Sequence, residues 1–215
     1  MRSGRKLIAY DRRLGVRYVA GADEAGRGSL AGPLVAAGVL LDYGELRGRR
    51  AAALGLLNDS KQLDLDERER LFQAVLVTAS RVSVQLVSSG EIDRSGLHRS
   101  NLRALSAALA ALGEGPEVRL VDGFRLGPAA PPHRAVVDGD AKSAAIAAAS
   151  VVAKVIRDRT MRRLDALYPS FGFARHVGYI TPAHSDAVRR HGPCAIHRRS
   201  FDALCYADAE PAAVG

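Results

Sequence analysis

The segment Gly21-Ala-Asp-Glu-Ala-Gly-Arg-Gly-Ser-Leu-Ala-Gly-Pro33 constrains this chain more than any other. It separates two apolar runs, Tyr18 to Ala22 and Leu34 to Leu41, and joins them through Gly26, Gly28, Gly32 and Pro33. Short apolar runs divided by glycine and proline read as neighbouring strands linked by a turn. Asp23 and Glu24 stand directly after the first run, at the C-terminal end of its strand. Adjacent strand residues point to opposite faces, so both acids serve one site only where the chain bends or a cation reaches both sides. Gly26 and Gly28 permit such a bend.

The rest of the chain alternates helical and extended patterns. Asp64 to Ala79 carries Leu65, Leu71, Phe72, Val75 and Leu76 behind acids that suit a helix N-terminus. Arg81 to Val87 has the period-two alternation of a strand, and Asn101 to Leu112 returns to helical spacing. Val118 to Val121 and Ala135 to Val137 are further strands, separated by the loop Gly127 to Pro132 with its three prolines. Ala141 to Leu167 reads as one long alanine-rich helix. Another runs from about Ala183 to Arg190, with Pro182 in its first turn and Gly192-Pro193 at its close. The expected fold is α/β, a mixed sheet flanked by helices with a helical C-terminal part. Residues 1–17 form a leader, a strand or a frayed end; 18–206 form one domain, helical from about 141; 207–215 form a flexible tail.

Composition narrows the class. In 215 residues, 31 Lys plus Arg face 23 Asp plus Glu, a net charge of +8 that favours a polyanionic partner. The longest apolar stretches, Ser29 to Leu41 and Ala144 to Ala153, fall short of the ~20 residues of a membrane helix. Cys194 and Cys205 are the only cysteines, which suits a reducing cytoplasm better than a secreted disulfide scaffold. No membrane contact and a monomeric state are the default expectations.

Three predicted strands end in acids: Asp23 and Glu24, then Asp122 before Gly123, then Asp138 and Asp140 around Gly139. Carboxylates gathered together repel, and a divalent cation is the usual remedy. Oxygen ligands without His or Cys point to Mg²⁺ or Mn²⁺ rather than zinc. Two such ions suit phosphodiester hydrolysis, for which the basic surplus supplies affinity. On spacing alone, these acids are equally well read as ordinary surface or turn residues.

The segment Gly21 to Pro33 closely resembles the signature of the type 2 ribonucleases H, specifically bacterial ribonuclease HII. The resemblance continues in order through Asn58-Asp-Ser-Lys61, Asp122-Gly123, Gly139-Asp-Ala-Lys142, Ala148-Ala-Ser150, Ala153-Lys-Val155, Arg157-Asp158, Tyr168-Pro169, Phe171-Gly-Phe173, His176, Gly178-Tyr179 and His197-Arg-Arg-Ser-Phe201. It implies an RNase H-like fold and four catalytic carboxylates on Asp23, Glu24, Asp122 and Asp140, holding two Mg²⁺ or Mn²⁺ ions. It implies cleavage of RNA in RNA–DNA hybrids and nicking of duplex DNA 5′ to a single embedded ribonucleotide, leaving a 3′-hydroxyl and a 5′-phosphate. Gly26, Arg27 and Gly28 match the family's reader of the ribose 2′-hydroxyl, and glycines do let backbone approach a sugar. Tyr179 matches the tyrosine that packs on the following deoxyribose. Lys61 and Lys142 match lysines near the nucleic acid and are read as phosphate contacts. Asp158 reads as a local ion pair.

Ser29 stands where the family commonly has proline, Asp138 where lysine is frequent, and Ser143-Ala144 where a Val-Pro pair is frequent. An extra acid at Asp138 could weaken phosphate binding or alter metal preference. Gly26 to Ala31 also fits a loose dinucleotide-binding pattern, but Gly32-Pro33 interrupts the helix that such a site requires. His191, Cys194, His197 and Cys205 imitate a zinc set, although His197 belongs to the terminal motif. Ribonuclease HIII carries an additional N-terminal domain and usually threonine at the Arg27 position, and type 1 enzymes lack the Asp-Glu pair. A binder of hybrids without catalysis is the alternative of another class.

Overall fold

The computed structural model describes residues 4–57 and 64–208. Its sheet has five strands in the order β3-β2-β1-β4-β5. They are β1 Tyr18–Ala25, β2 Leu34–Asp42, β3 Arg81–Val87, β4 Val118–Asp122 and β5 Arg134–Val136. β1, β2 and β3 run antiparallel in succession, whereas β4 lies parallel to β1 and β5 parallel to β4. The C-terminal ends of β1, β4 and β5 therefore share one edge of the sheet. The mixed sheet expected from the sequence is present.

Helices cover both faces. On one face lies α6, Ala144–Asp165, whose first turns are almost all alanine and fully buried. Small side chains let its backbone press onto β1: a Cβ on Gly21 would stand 2.2 Å from the carbonyl carbon of Ala145. The opposite face packs Ala20, Ala22 and Ala36 against Leu105, Ala108 and Leu109 of α5, Leu97–Ala110. α3, Leu65–Thr78, begins at Asp64 with a reciprocal capping box to Glu67, as its leading acids predict.

The leader differs from its expected form. Residues Gly4–Arg12 are a helix, α1, with Leu7 and Ile8 buried in the main core. Asp11 is fully buried, and its Oδ2 accepts from the Tyr43 hydroxyl at 2.5 Å and the Ala145 amide at 2.9 Å. The carboxylate thus serves the N-terminus of α6, where unpaired amides favour negative charge. Two short helices also escaped the sequence reading, α2 at Gly48–Ala53 and α4 at Ser89–Ser95. They are too short for periodicity to register.

The C-terminal part is a third packed unit. α7 Phe173–His176, α8 Pro182–His191 and α9 Leu204–Ala207 close around Leu30, Met161, Phe171, Phe173 and Val188. α9 reaches the start of the presumed tail, and residues 209–215 lie outside the described residues. Among the described residues no helix is long and apolar enough to cross a membrane.

Candidate active site at the sheet edge

β1 resolves how adjacent acids can serve one place. Asp23 falls on the α6 face, with the Ser150 hydroxyl against its carboxylate, while Glu24 falls on the α5 face beside Asn101. They meet because the strand ends: Gly26 follows with φ +93°, in the left-handed region that favours glycine. The parallel register pairs Ala22 with Val121, so Asp122 terminates the neighbouring strand one residue further on. Asp140 lies in the 3-10 turn Gly139–Ala141 after β5, and the Gly139 amide donates to Asp122 Oδ1 at 2.6 Å. Asp23, Glu24, Asp122 and the turn bearing Asp140 occupy one end of the sheet.

The acids are held at a cost. Burial pushes the Asp23 carboxyl up to about 8, and the charges of Glu24 and Asp122 add to the rise. Burial pushes Glu24 up to about 7, tempered by Arg27 and Asn101 and reinforced by Asp122. Arg27 is only 3.6 Å from Glu24, yet Glu24 Oε2 is buried with no hydrogen-bond partner. Asn101 is close enough to lower Glu24, but neither its Oδ1 nor its Nδ2 closes a hydrogen bond of good geometry. Among the described residues no three His, Cys, Asp or Glu side chains are already closed around a point that would hold an ion. An all-oxygen set with raised carboxyls and an orphaned Oε2 fits a hard divalent ion.

The loop from Gly26 to Pro33 is clamped by two fully buried arginines, both at 0% exposure. Arg157 on α6 donates to the carbonyls of Pro33 (3.1 Å), Val177 (2.9 Å) and Ala31 (3.2 Å). Arg198 donates through Nε and Nη2 to Gly32 (3.1 and 3.0 Å) and through Nη1 to Arg27 (3.0 Å). Burial draws both guanidiniums down, Arg198 to about 9, so Arg198 keeps its charge at neutral pH. A Cβ on Gly26 would stand 2.0 Å from Arg157 Nε, whereas one on Gly28 would meet nothing within 4 Å. No helix follows the glycines; Ser29 and Ala31 bridge to Tyr179 and His197, and β2 begins.

The other sequence-derived candidates are distributed around this edge. A cavity of about 300 Å³ is lined by Glu24, Gly26, Arg68, Ser150, Lys154 and Tyr179. Tyr179 and Glu24 therefore share one space, with Lys154 Nζ 5.3 Å from the tyrosine ring. Arg27 lies half-buried over the Phe124 ring at 4.7 Å. Lys142 is exposed and gives its Nζ to the Val137 carbonyl at 2.6 Å. Lys61 and the rest of Asn58-Asp-Ser-Lys61 lie outside the described residues. Asp158 is in an ion pair, but with Lys154 at 2.8 Å rather than with its arginine neighbours. Asp138 is exposed at φ +50°, a conformation aspartate tolerates, and Ser143 caps α6 through the Ile146 amide.

Ser150, Lys154, Arg68, Asn101, Arg157 and Arg198 had no assigned part in the sequence reading. Ser150 and Lys154 could have been found as a polar pair one turn apart on the apolar first half of α6. The buried Arg157, Arg198 and Asn101 leave no such signal.

The family model for ribonuclease HII matches residues 20–204. The ribonuclease HII of Geobacillus kaustophilus is 47% identical over 199 residues, covering 91% of this chain and 74% of that protein. That of Mycobacterium tuberculosis strain H37Rv is 47% identical over 201 residues, covering 94% and 74%. Among solved structures, the ribonuclease H2 of Pyrococcus horikoshii superposes with a TM-score of 0.74 at 30% identity, covering 88% of this chain and 95% of that one. The RNase HII of Archaeoglobus fulgidus, solved in complex with PCNA, superposes at 0.66 and 29%, covering 79% and 86%.

Proposed function

The chain belongs to the ribonuclease HII family, and from that premise we propose that it also nicks duplex DNA 5′ to a single embedded ribonucleotide, using two divalent ions. As a ribonuclease H it is an endoribonuclease of RNA–DNA hybrids. The observation that carries the divalent-ion part of this reading is the gathering of Asp23, Glu24 and Asp122 at adjoining strand ends, with Glu24 Oε2 left without a partner. Burial first, and then the charges of Glu24 and Asp122 on Asp23 and of Asp122 on Glu24, push Asp23 and Glu24 up to about 8 and 7, so a cation at the sheet edge would relieve them.

Asp23, Glu24, Asp122 and Asp140 would hold Mg²⁺ or Mn²⁺. When bound, such ions supply an acidified water for in-line attack and charge compensation for the departing 3′-oxygen. The chain's own residues do the rest. Gly28, open on its solvent side, admits a ribose to the loop, where Gly26, Arg27 and Gly28 read the 2′-hydroxyl. Tyr179 offers its ring to the next sugar from across the cavity it shares with Glu24. Lys142, and Lys61 from the segment preceding α3, contact phosphates. Cleavage leaves a 3′-hydroxyl and a 5′-phosphate. The working form we propose is a monomer in the cytoplasm, where Cys194 and Cys205, both free, stay reduced.

The test is a gel assay on duplex DNA with one ribonucleotide, in Mg²⁺, Mn²⁺ or EDTA, beside an all-DNA control. Metal-dependent nicking 5′ to the ribonucleotide, absent from the control, is expected. Retained binding without cutting in either ion would make the chain a binder and overturn the proposal.

A further inference from the structure

Behind Tyr179, away from the acidic edge, His184 (0% exposed) and His197 (2%) meet Nε2 to Nε2 at 3.0 Å. Two imidazoles share such a contact when one donates and the other accepts. Their outer nitrogens decide which. His184 Nδ1 lies 2.9 Å from the Tyr179 carbonyl oxygen, which only accepts, so Nδ1 carries the hydrogen and Nε2 is bare. His197 Nδ1 accepts the Cys194 amide at 3.0 Å, with Cys194 Sγ at the same distance, so its hydrogen is on Nε2. The partners thus assign one directional chain, from the Cys194 amide through His197 and His184 to the Tyr179 carbonyl. Both rings are neutral, because burial pulls each down to about 4.

The chain ends at the residue that matters. Tyr179 pairs with Ser29, and His197 with Ala31, in isolated bridges. Its amide donates to the His176 carbonyl at 2.9 Å, and the His176 ring stacks on His184 at 4.3 Å. The tyrosine backbone is therefore registered against the loop that follows Gly28 by groups that never touch the cavity.

We infer that His184 and His197 are positioning residues that fix Tyr179 relative to the Gly26–Gly28 loop, and so set the preference for a ribose followed by a deoxyribose. This rests on the role proposed above for Tyr179. It assigns junction selectivity to a buried imidazole pair outside the cavity.

Two readouts test it. The first is the ratio of kcat/KM on single-ribonucleotide duplex to that on a uniform RNA–DNA hybrid. His184→Gln keeps a polar group toward His197 but loses the donor to Tyr179, and should lower the ratio about tenfold with hybrid cleavage within about threefold. His184→Asn, whose amide can replace Nδ1–H, should restore most of the ratio. In a Tyr179→Ala background, His184→Gln should change the ratio less than about twofold, because both act through one ring. Equal loss on both substrates, or an unchanged ratio in a folded variant, overturns the inference. The second readout needs no variant: nitrogen-15 NMR of the wild-type imidazoles should show Nδ1–H on His184 and Nε2–H on His197, and reversed or charged rings would overturn the relay. Wild-type protein that ignores single ribonucleotides would sink the proposed function instead, and the NMR result would still decide the relay.

Discussion

At the sheet edge, the Asp23 and Glu24 side chains face one another's charge and that of Asp122 away from bulk water, and one oxygen, Glu24 Oε2, has no partner. Behind the glycine loop, Arg157 and Arg198 are buried just as deeply, yet their guanidiniums make six hydrogen bonds to backbone carbonyls. Buried charge is costly in both places. The arginines are compensated by the protein itself, so the loop is already shaped before any ligand arrives. The carboxylates are left to be compensated from outside, which is what a site for a cation and a polyanion requires. One region is finished by folding, and the other by binding.

The largest expected effect lies on the unfinished side. Asp122→Asn should reduce hybrid cleavage on the order of 10³-fold while binding changes less than about threefold, measured by single-turnover kinetics and a filter assay. Loss of binding in parallel would mean that Asp122 shapes the substrate surface instead.

Opposite signs of stability should come next. Arg157→Ala strands two buried carbonyls and one partly buried one, and should cost about 3–5 kcal/mol in urea unfolding. Asp23→Asn, by removing an uncompensated charge, should stabilise metal-free protein by about 1–2 kcal/mol at pH 8.

The two regions should also divide the pH profile. Asp23 and Glu24 are raised from 3.8 and 4.5 to about 8 and 7, so their penalty is absent below the lower values and complete above the upper ones. His184 and His197 are lowered from 6.5 to about 4, so their contribution is present above 6.5 and lost as pH falls toward 4. Between about pH 4.5 and 6.5 the two slopes oppose each other, so metal-free protein should be most stable in that window and lose stability from about 6.5 to 8; a divalent ion should lift that alkaline limb alone, by about 1–3 kcal/mol. An ion effect on the acid limb would misplace the site.

Smaller effects sharpen the loop. Gly28→Ala should leave stability within about 0.5 kcal/mol and still slow nicking about tenfold, since only substrate needs the space. Gly26→Ala should fail on stability first, because its φ and the Arg157 contact both exclude a Cβ. Ser29→Ala should change stability by less than about 0.5 kcal/mol, the hydroxyl being buried without a partner.

Much of the frame was legible from periodicity and punctuation. The alternation of Arg81 to Val87, the acids before α3 and the acids at three strand ends each reflect local physics, and the sheet joins those ends as expected. The convergence of Asp23 and Glu24 was legible only as a condition, and Gly26 meets it by ending β1. α1 was missed because its apolar residues are few among basic ones, and its burial depends on the distant Ala145 and Tyr43. Arg157 and Arg198 counted toward the basic surplus, although neither reaches solvent. Their role is set by carbonyls far along the chain, which composition does not encode.

Proton release on metal binding tests the central claim most directly. Titration calorimetry of metal-free protein with Mn²⁺ at pH 7, in buffers of different ionisation enthalpy, counts the protons expelled per ion. Carboxyls raised to about 8 and 7 hold protons at that pH, so about one should be released, and Asp23→Asn should reduce it. Tight binding with no proton released would contradict the account, because the acids would then already be charged and compensated within the fold.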